Sequence, residues 1–219
     1  MKKYILIAIL TGLTIVLTSC NKDEETTATY KITFTGTWTE ASHPTDYPSN
    51  AHFSALTGLS HKENTRLFDV GSLASEGIET MAETGNADIL KDEIDDIIDM
   101  GNGFKKISGS GVGTGTGSTS VTVKVNVENS YITLVSMIAP SPDWFIAVQS
   151  VNLYENGKFV EEKTVEGIIY DSGTDSGTTF ATPNISTSPA ENIYITSEIP
   201  VGNGTSVENS FGTFVFEKI

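Results

Sequence analysis

The sequence predicts a mainly β protein, a β-sandwich with two short helices. Several short segments alternate apolar and polar residues with the period of two that a half-buried strand shows. Glycine- and asparagine-rich turns separate these segments, and many short strands joined in this way favour a sandwich. Two further segments are predicted to be helices, and the second shows the 3.6-residue period of an amphipathic helix.

The strand pattern starts at residues 30–37, "YKITFTGT", where aromatic and aliphatic residues alternate with lysine and threonine. Further strands are predicted at 121–127, 131–138, 144–154, 163–170 and 212–219. The runs at 131–138 and 144–154 are longer and more apolar, as expected of central strands. Asn156 and Gly157 favour a turn with positive φ. The segment 108–120, "SGSGVGTGTGSTS", lacks the lysine of a phosphate-binding loop and predicts a flexible loop.

The first helix is predicted to begin at a capping Ser72, to run through Met81 and to end near Gly85. The second is predicted at 87–100, with Gly101 as C-cap. Its apolar face contrasts with a face of five acidic residues, which indicates solvent exposure rather than a metal site. The apolar residues are Leu90, Ile94, Ile97 and Ile98, and the acidic ones are Asp92, Glu93, Asp95, Asp96 and Asp99.

Residues 1–19 predict a lipoprotein signal peptide. Two lysines precede an apolar stretch, and small residues lead to Cys20, the only cysteine of the chain. Lipidation of Cys20 is the preferred interpretation, and an uncleaved anchor or an ordinary signal with an incidental cysteine are the alternatives. Residues 20–29 are predicted to form an acidic, threonine-rich tether, and residues 30–219 a single domain. The tether's "NKDEE" resembles an export tag for the outer face of the outer membrane.

Removal of the signal leaves 200 residues with 11 basic and 28 acidic side chains, a net charge of −17. Such a charge repels phosphates and argues against a nucleic-acid partner. With no cysteine beyond Cys20, the domain has no disulfides and depends on its core. No later apolar run approaches the ~20 residues of a membrane span.

Three histidines, His43, His52 and His61, are spaced nine residues apart and raise the possibility of zinc. Their segment is rich in proline and serine, which predicts a loop instead. No nucleophile motif is present, so an enzyme is not predicted. His52 and His61 with Glu76 are the only weak candidates for a hydrolase.

Three aspartates are the strongest candidates for a site. Asp171 and Asp175 lie in "GIIYDSGTDSG", and Asp143 lies in the proline-rich turn "APSPDWF". Aspartate, serine and glycine are common in solvated turns. The alternative is a hard cation such as calcium, which prefers six to eight oxygen ligands. Spacing alone leaves both interpretations open.

Four segments, in this order, resemble the spondin domain family, the F-spondin and mindin type of spondin N-terminal domain that also occurs in bacterial lipoproteins. They are "PSNAHFSALTGLSH", "LASEGIETMAETG", "SMIAPSPDWFIAVQSVNL" and "DSGTDSGTTFATPN". The resemblance extends from about residue 30 to residue 219.

The resemblance implies an antiparallel β-sandwich similar to calcium-dependent phospholipid-targeting domains. It implies an extracellular adhesion function and a bound calcium ion (Ca2+) whose ligands match Asp143, Asp171 and Asp175. The animal members have cysteines near "NLYENGKFVEE", which this chain lacks, so that loop is expected to differ. No residue of this chain is identified as the counterpart of an integrin-binding residue of the family.

The sequence therefore predicts a non-enzymatic, lipid-anchored module of the outer membrane, exposed at the surface, that binds calcium and an extracellular protein or glycan. The membrane is its other partner, through Cys20. The alternatives are a metal-dependent hydrolase acting on surface polymers and a structural component of the cell envelope.

Overall fold

The structure, a computed structural model, describes residues 25–219. The predicted signal peptide, Cys20 and tether residues 21–24 lie outside the described residues. Two helices are present, α1 (Glu76–Thr84) and α2 (Asp88–Asp99). The strands are β1 (Thr27–Gly36), β2 (His52–Phe53), β3 (Thr57–His61), β4 (Gly103–Ser108), β5 (Ser118–Asn126), β6 (Tyr131–Ala139), β7 (Trp144–Asn152), β8 (Tyr154–Glu155), β9 (Lys158–Phe159), β10 (Glu162–Glu166), β11 (Ile168–Asp171), β12 (Tyr194–Ile195) and β13 (Gly212–Lys218).

The strands form two main sheets. The smaller has the order β10-β13-β1-β5, and the larger has the order β12-β11-β7-β6-β3-β4, with β2 also paired to β6. A separate hairpin joins β8 to β9 around Asn156 and Gly157, both at positive φ as predicted. All strand pairs among residues 25–219 are antiparallel. The predicted class, a mainly β antiparallel sandwich with two helices, is confirmed.

The larger sheet is covered on both faces. One face shares a core with the smaller sheet, to which Phe34 and Ile146 belong. The opposite face shares a second core with the helices, to which Ile94 and Phe145 belong. Successive residues of β7 therefore enter different cores, because side chains alternate across a strand. This two-sided burial explains why β6 and β7 are continuous apolar runs, as central strands are expected to be.

The helices agree with the prediction except at the start of α1 and at the end of α2, where the C-cap is Met100 and the predicted cap Gly101 is the next residue, with a φ of 75°. The N-cap of α1 is Ser75, whose Oγ accepts a hydrogen bond from the Ile78 N–H at 3.2 Å, so the predicted cap at Ser72 is wrong. Glu93 also departs from the predicted solvated face of α2. Its carboxylate accepts hydrogen bonds from Ser75 Oγ at 2.7 Å and from the Gly77 N–H at 2.8 Å, so it fixes α2 to the start of α1. Neither helix in residues 25–219 is long and apolar enough to cross a membrane.

Two segments that were predicted to be loops take part in the sheets. Residues 43–61 contain β2 and β3, and all five residues of β3 are buried between β4 and β6. In the segment 108–120, Val112 is buried and exchanges two hydrogen bonds of 2.9 Å with Phe53. At the N-terminus, β1 begins three residues before the predicted domain boundary at residue 30.

The single strand predicted at 163–170 is two strands in different sheets. The chain crosses at Gly167, between β10 of the smaller sheet and β11 of the larger one. A Cβ atom at this position would lie 2.4 Å from Ile146 Cδ1 and 3.2 Å from the Phe214 ring. A larger residue would therefore displace the Ile146 side chain, because the crossing strand runs directly against the sandwich core.

We expect Gly167→Ala to lower the free energy of unfolding by about 1–3 kcal/mol, because the added methyl group overpacks the core against Ile146. Urea denaturation of the full-length chain measures this change. Gly113→Ala is the control, since a Cβ at Gly113 meets no atom within 4 Å. Equal stabilities of the two variants would contradict the close approach at Gly167.

Candidate metal centre

The fold brings the three predicted aspartates to one end of the larger sheet. Asp143 lies in the turn between β6 and β7, and Asp171 is the last residue of β11. Antiparallel pairing places Asp171 opposite Trp144, so the turn and the β11 end are neighbours. Asp175 follows in the loop and forms an isolated bridge with Ser186. Segments about 30 residues apart in sequence thus share one site.

Asp143 is completely buried. Its Oδ2 accepts hydrogen bonds from Ser172 Oγ at 3.0 Å, the Thr174 N–H at 2.8 Å and the Asp175 N–H at 3.1 Å. One carboxylate oxygen therefore holds the whole start of the aspartate loop. The other oxygen, Oδ1, has no hydrogen-bond partner in the described structure. A buried charged oxygen without a donor is costly, which makes Oδ1 the clearest unsatisfied group of the site.

Asp171 and Asp175 are largely buried and are each held by donors. Asp171 Oδ2 accepts from Trp144 Nε1 and from the Tyr194 hydroxyl, both at 3.0 Å, and its Oδ1 accepts from the Gly173 N–H at 2.8 Å. Asp175 Oδ1 accepts from the Gly177 N–H at 2.7 Å. These contacts orient carboxylates that would otherwise repel one another.

Burial and mutual repulsion act on the charges of this site. Desolvation, partly offset by the donated hydrogen bonds, raises the pKa of Asp143. Desolvation together with the negative charge of Asp143 raises the pKa of Asp171 to about 6. Both shifts mean that the ionised carboxylates are destabilised in this environment. A cation placed among them would remove that cost.

The small residues of the loop are required by close packing. Gly173 has a φ of 76°, and a Cβ there would lie 2.4 Å from the Glu191 carbonyl oxygen. A Cβ at Gly177 would lie 2.7 Å from Pro142 Cγ, in the turn that contains Asp143. The loop therefore contains small residues because it packs against two neighbouring segments. A turn exposed to solvent would not require them.

The three aspartates do not form a ready-made cluster of metal ligands. Within residues 25–219, no group of three or more histidine, cysteine, aspartate or glutamate side chains has the geometry of a ready-made metal site. The three aspartates are neighbours, and all their carboxylate oxygens except Asp143 Oδ1 accept hydrogen bonds from backbone or side-chain donors.

The histidines are placed separately and for structural reasons. His61 is buried, with Nε2 at 2.8 Å from Thr133 Oγ1 and Nδ1 at 2.7 Å from the Lys62 carbonyl oxygen. His43 contacts Ser42 Oγ and the Asn209 carbonyl oxygen. Both ring nitrogens of each histidine thus have protein partners. In the described residues, nothing joins them to His52 or Glu76 as a zinc or hydrolase site.

Sequence reasoning missed the neutral residues that hold the carboxylates. Tyr194, on the edge strand β12, binds Asp171 from a position 23 residues later in the chain. Trp144 follows Asp143 directly, and this position in the motif could have indicated that its side chain lies at the site. A cavity of about 230 Å³ opens beside these residues and is lined by two further acids, Glu191 and Glu198. Their proximity depends on how β12 pairs, which no local pattern shows.

We expect the stability of the metal-free protein, relative to Asp171→Asn, to decrease as pH rises from 4 to 7. The folded pKa of Asp171 is about 6, above its ordinary value of 3.8. Ionisation of Asp171 therefore costs the folded state no stability below pH 3.8 and has its full effect above pH 6. The free energy of unfolding falls by about 3 kcal/mol across this range. Urea denaturation in chelator at several pH values measures it, and a difference independent of pH would contradict the raised pKa.

Comparison with known proteins assigns the chain to a family. The Spondin_N family model matches residues 28–211. Spondin-1 of Homo sapiens is 34% identical over 173 residues, which are 76% of this chain and 21% of spondin-1. Spondin-2 of Homo sapiens is 34% identical over 191 residues, which are 84% of this chain and 56% of spondin-2, and spondin-1 of Gallus gallus is 32% identical. The chain thus spans about a fifth of spondin-1 and just over half of spondin-2, and it belongs to the spondin N-terminal domain family.

Proposed function

We propose that this spondin domain is a non-enzymatic, lipid-anchored binding module whose aspartate loops are held together by a calcium ion. Asp143, Asp171 and Asp175 would hold the ion, and Cys20 would carry the lipid. The proposed location is the outer membrane, at the cell surface, and the proposed ligand is an extracellular protein or glycan. The adhesion role is what the family resemblance implies.

The observation that best supports calcium is the unpartnered Oδ1 of the buried Asp143. The atoms available as metal ligands are carboxylate, hydroxyl and carbonyl oxygens. No thiol or imidazole is among the predicted ligands. Such a donor set suits a hard cation and is unlike the nitrogen and sulfur ligands that zinc prefers. The residues present therefore fit calcium.

The bound ion would supply positive charge between loops that are otherwise mutually repulsive. The chain itself supplies the rest of the site. Asp143 Oδ2 ties the loop start to the β6–β7 turn, while Trp144 and Tyr194 fix the Asp171 carboxylate. These contacts orient the carboxylates before an ion arrives, which reduces the ordering cost of binding.

A binding role is supported by where the site lies relative to the N-terminus. Tyr30, near the start of β1, donates a hydrogen bond to the Leu153 carbonyl oxygen beyond the far end of β7. The aspartates lie at the other end of β7, next to Trp144. Nine strand residues span roughly 27 Å. A domain tethered through its N-terminus therefore presents the aspartate loops away from its attachment point.

We expect calcium at 100 times its dissociation constant to stabilise the full-length protein by about 2.7 kcal/mol. Asp143→Asn and Asp175→Asn should each remove this gain, because each deletes a charged ligand. Thermal melts with calcium, magnesium, zinc and chelator measure it, together with calorimetric titration. Asp99→Asn, on the exposed face of α2, is the control and should retain the response.

A folded wild-type protein that shows no calcium response would refute the calcium proposal. Because Asp143 is buried, near-ultraviolet circular dichroism must show that its variant folds. Asp175→Asn provides an independent test if it does not. A response to zinc alone would instead direct attention to the histidines.

We expect metabolic labelling with palmitate to modify the wild-type protein and to fail in Cys20→Ser, since the thiol is the acceptor. Protease treatment of intact cells should digest the anchored domain if it faces outward. An unlabelled wild-type protein would contradict the lipid anchor. A labelled domain that resists protease until the cells are broken would contradict surface exposure.

A further inference from the structure

We propose that a cleft where the chain crosses between the two sheets binds an extended, lysine- or arginine-containing segment of a partner protein. We call it the isoleucine cleft and define it by Ile168, Ile195 and Val207, with Glu166 and Glu208. This inference deepens the binding role proposed above and rests on it, but it does not require the calcium ion.

The cleft is formed by the sheet crossing at Gly167. β10 ends there in the smaller sheet, β11 begins in the larger one, and the segment that follows β12 lies over the opening. The Thr196 N–H donates to the Ile169 carbonyl oxygen at 3.1 Å and fixes one wall. The resulting cavity has a volume of about 480 Å³. Clefts that bind ligands commonly have volumes of about 300–1,000 Å³.

The cleft leaves large aliphatic side chains without partners. Ile168 is 43% exposed and Ile195 is 56% exposed, although both belong to strands. Val207 lies half-buried between them and the sandwich core. Covering apolar surface is favourable by ~25 cal/mol per Å², so these side chains would gain from contact with an aliphatic residue of a partner.

The charged residues that line this apolar floor are both acidic. Glu166 and Glu208 line the cleft, and no lysine or arginine lines it. Neither glutamate belongs to the ion pairs found among residues 25–219. The neighbouring cavity shares Thr196 with the cleft and contains Glu191 and Glu198. A cationic segment complements this field, and an anionic ligand is repelled by it.

An extended segment fits better than a helix because the cleft adjoins a free sheet edge. β10 is the terminal strand of the smaller sheet and pairs only with β13 in the described structure. Its outer edge therefore offers unpaired backbone donors and acceptors that an added strand can use. Glu166, its last residue, connects this edge to the cleft. The expected partner sequence alternates basic and aliphatic residues.

The test uses a fluorescein-labelled peptide, Lys-Ile-Lys-Ile-Lys, and fluorescence anisotropy with the full-length protein. We expect saturable binding that weakens between about 0.05 and 0.3 M NaCl, because salt screens exposed charges. Ile195→Ser should weaken binding about tenfold, as expected for loss of one aliphatic contact. Glu166→Gln should weaken it about threefold, as expected for an exposed charge pair.

Matched controls separate the cleft from general surface effects. Glu162→Gln changes a second glutamate of β10 that does not line the cleft, and Ile219→Ser changes an exposed isoleucine elsewhere. Both should bind the peptide like the wild-type protein. Equal binding of Glu-Ile-Glu-Ile-Glu, or no effect of Ile195→Ser and Glu166→Gln, would overturn the proposal. No binding at about 1 mM peptide would do so too, since that corresponds to only about −4 kcal/mol.

The calcium response distinguishes this result from failure of the proposed function. Ile195→Ser and Glu166→Gln should retain the calcium-dependent thermal shift of the wild-type protein. No peptide binding with an intact calcium shift would overturn the cleft alone. Peptide binding without any calcium shift would support the cleft and refute the calcium site.

Discussion

The β6–β7 hairpin, buried on both faces, is the constraint on which the rest of the structure depends. Its side chains alternate between the sandwich core and the core beneath the helices, so both cores are fixed by one pair of strands. β3 and β2 pair with β6 on one side, and β11 pairs with β7 on the other. The same hairpin carries Asp143 in its turn and Trp144 at the start of β7. The candidate metal centre is thus attached to the most buried part of the domain, which explains how it can hold charged groups in a defined arrangement.

The domain combines a strongly acidic composition with three buried carboxylates, of which Asp143 and Asp171 destabilise each other's charge. The raised pKa values of Asp143 and Asp171 record the energetic cost of keeping them in the folded state. Backbone and side-chain donors offset part of this cost and leave Asp143 Oδ1 without a partner. Proteins retain such unsatisfied groups rarely, and a functional ligand is one of the recognised reasons. The proposed calcium ion would place positive charge among these carboxylates and lower that cost.

The two proposed binding features lie next to each other but would bind their ligands through different interactions. The metal centre concentrates buried charge at the ends of β7 and β11, whereas the isoleucine cleft exposes aliphatic side chains beside β10 and β12. They share the segment around Thr196, which lines both cavities. A ligand that spans both would contact the end of the domain opposite the start of β1. That placement suits the proposed role of a binding module tethered through its N-terminus.

The sequence by itself determined the elements whose pattern is local. The alternation in β1, β5 and β13 and the amphipathic face of α2 were readable because one side of each element faces a core and the other faces water. The identities of the three aspartates were also readable, from their motifs. Only the tertiary structure decided the central place of β3, since the five residues "TGLSH" contain a single large apolar residue and are buried through packing of their neighbours. It also decided the sheet crossing at Gly167 and the meeting of Asp143, Asp171 and Tyr194. These features depend on pairing between segments that are distant in the chain, and local periodicity contains no information about such pairing.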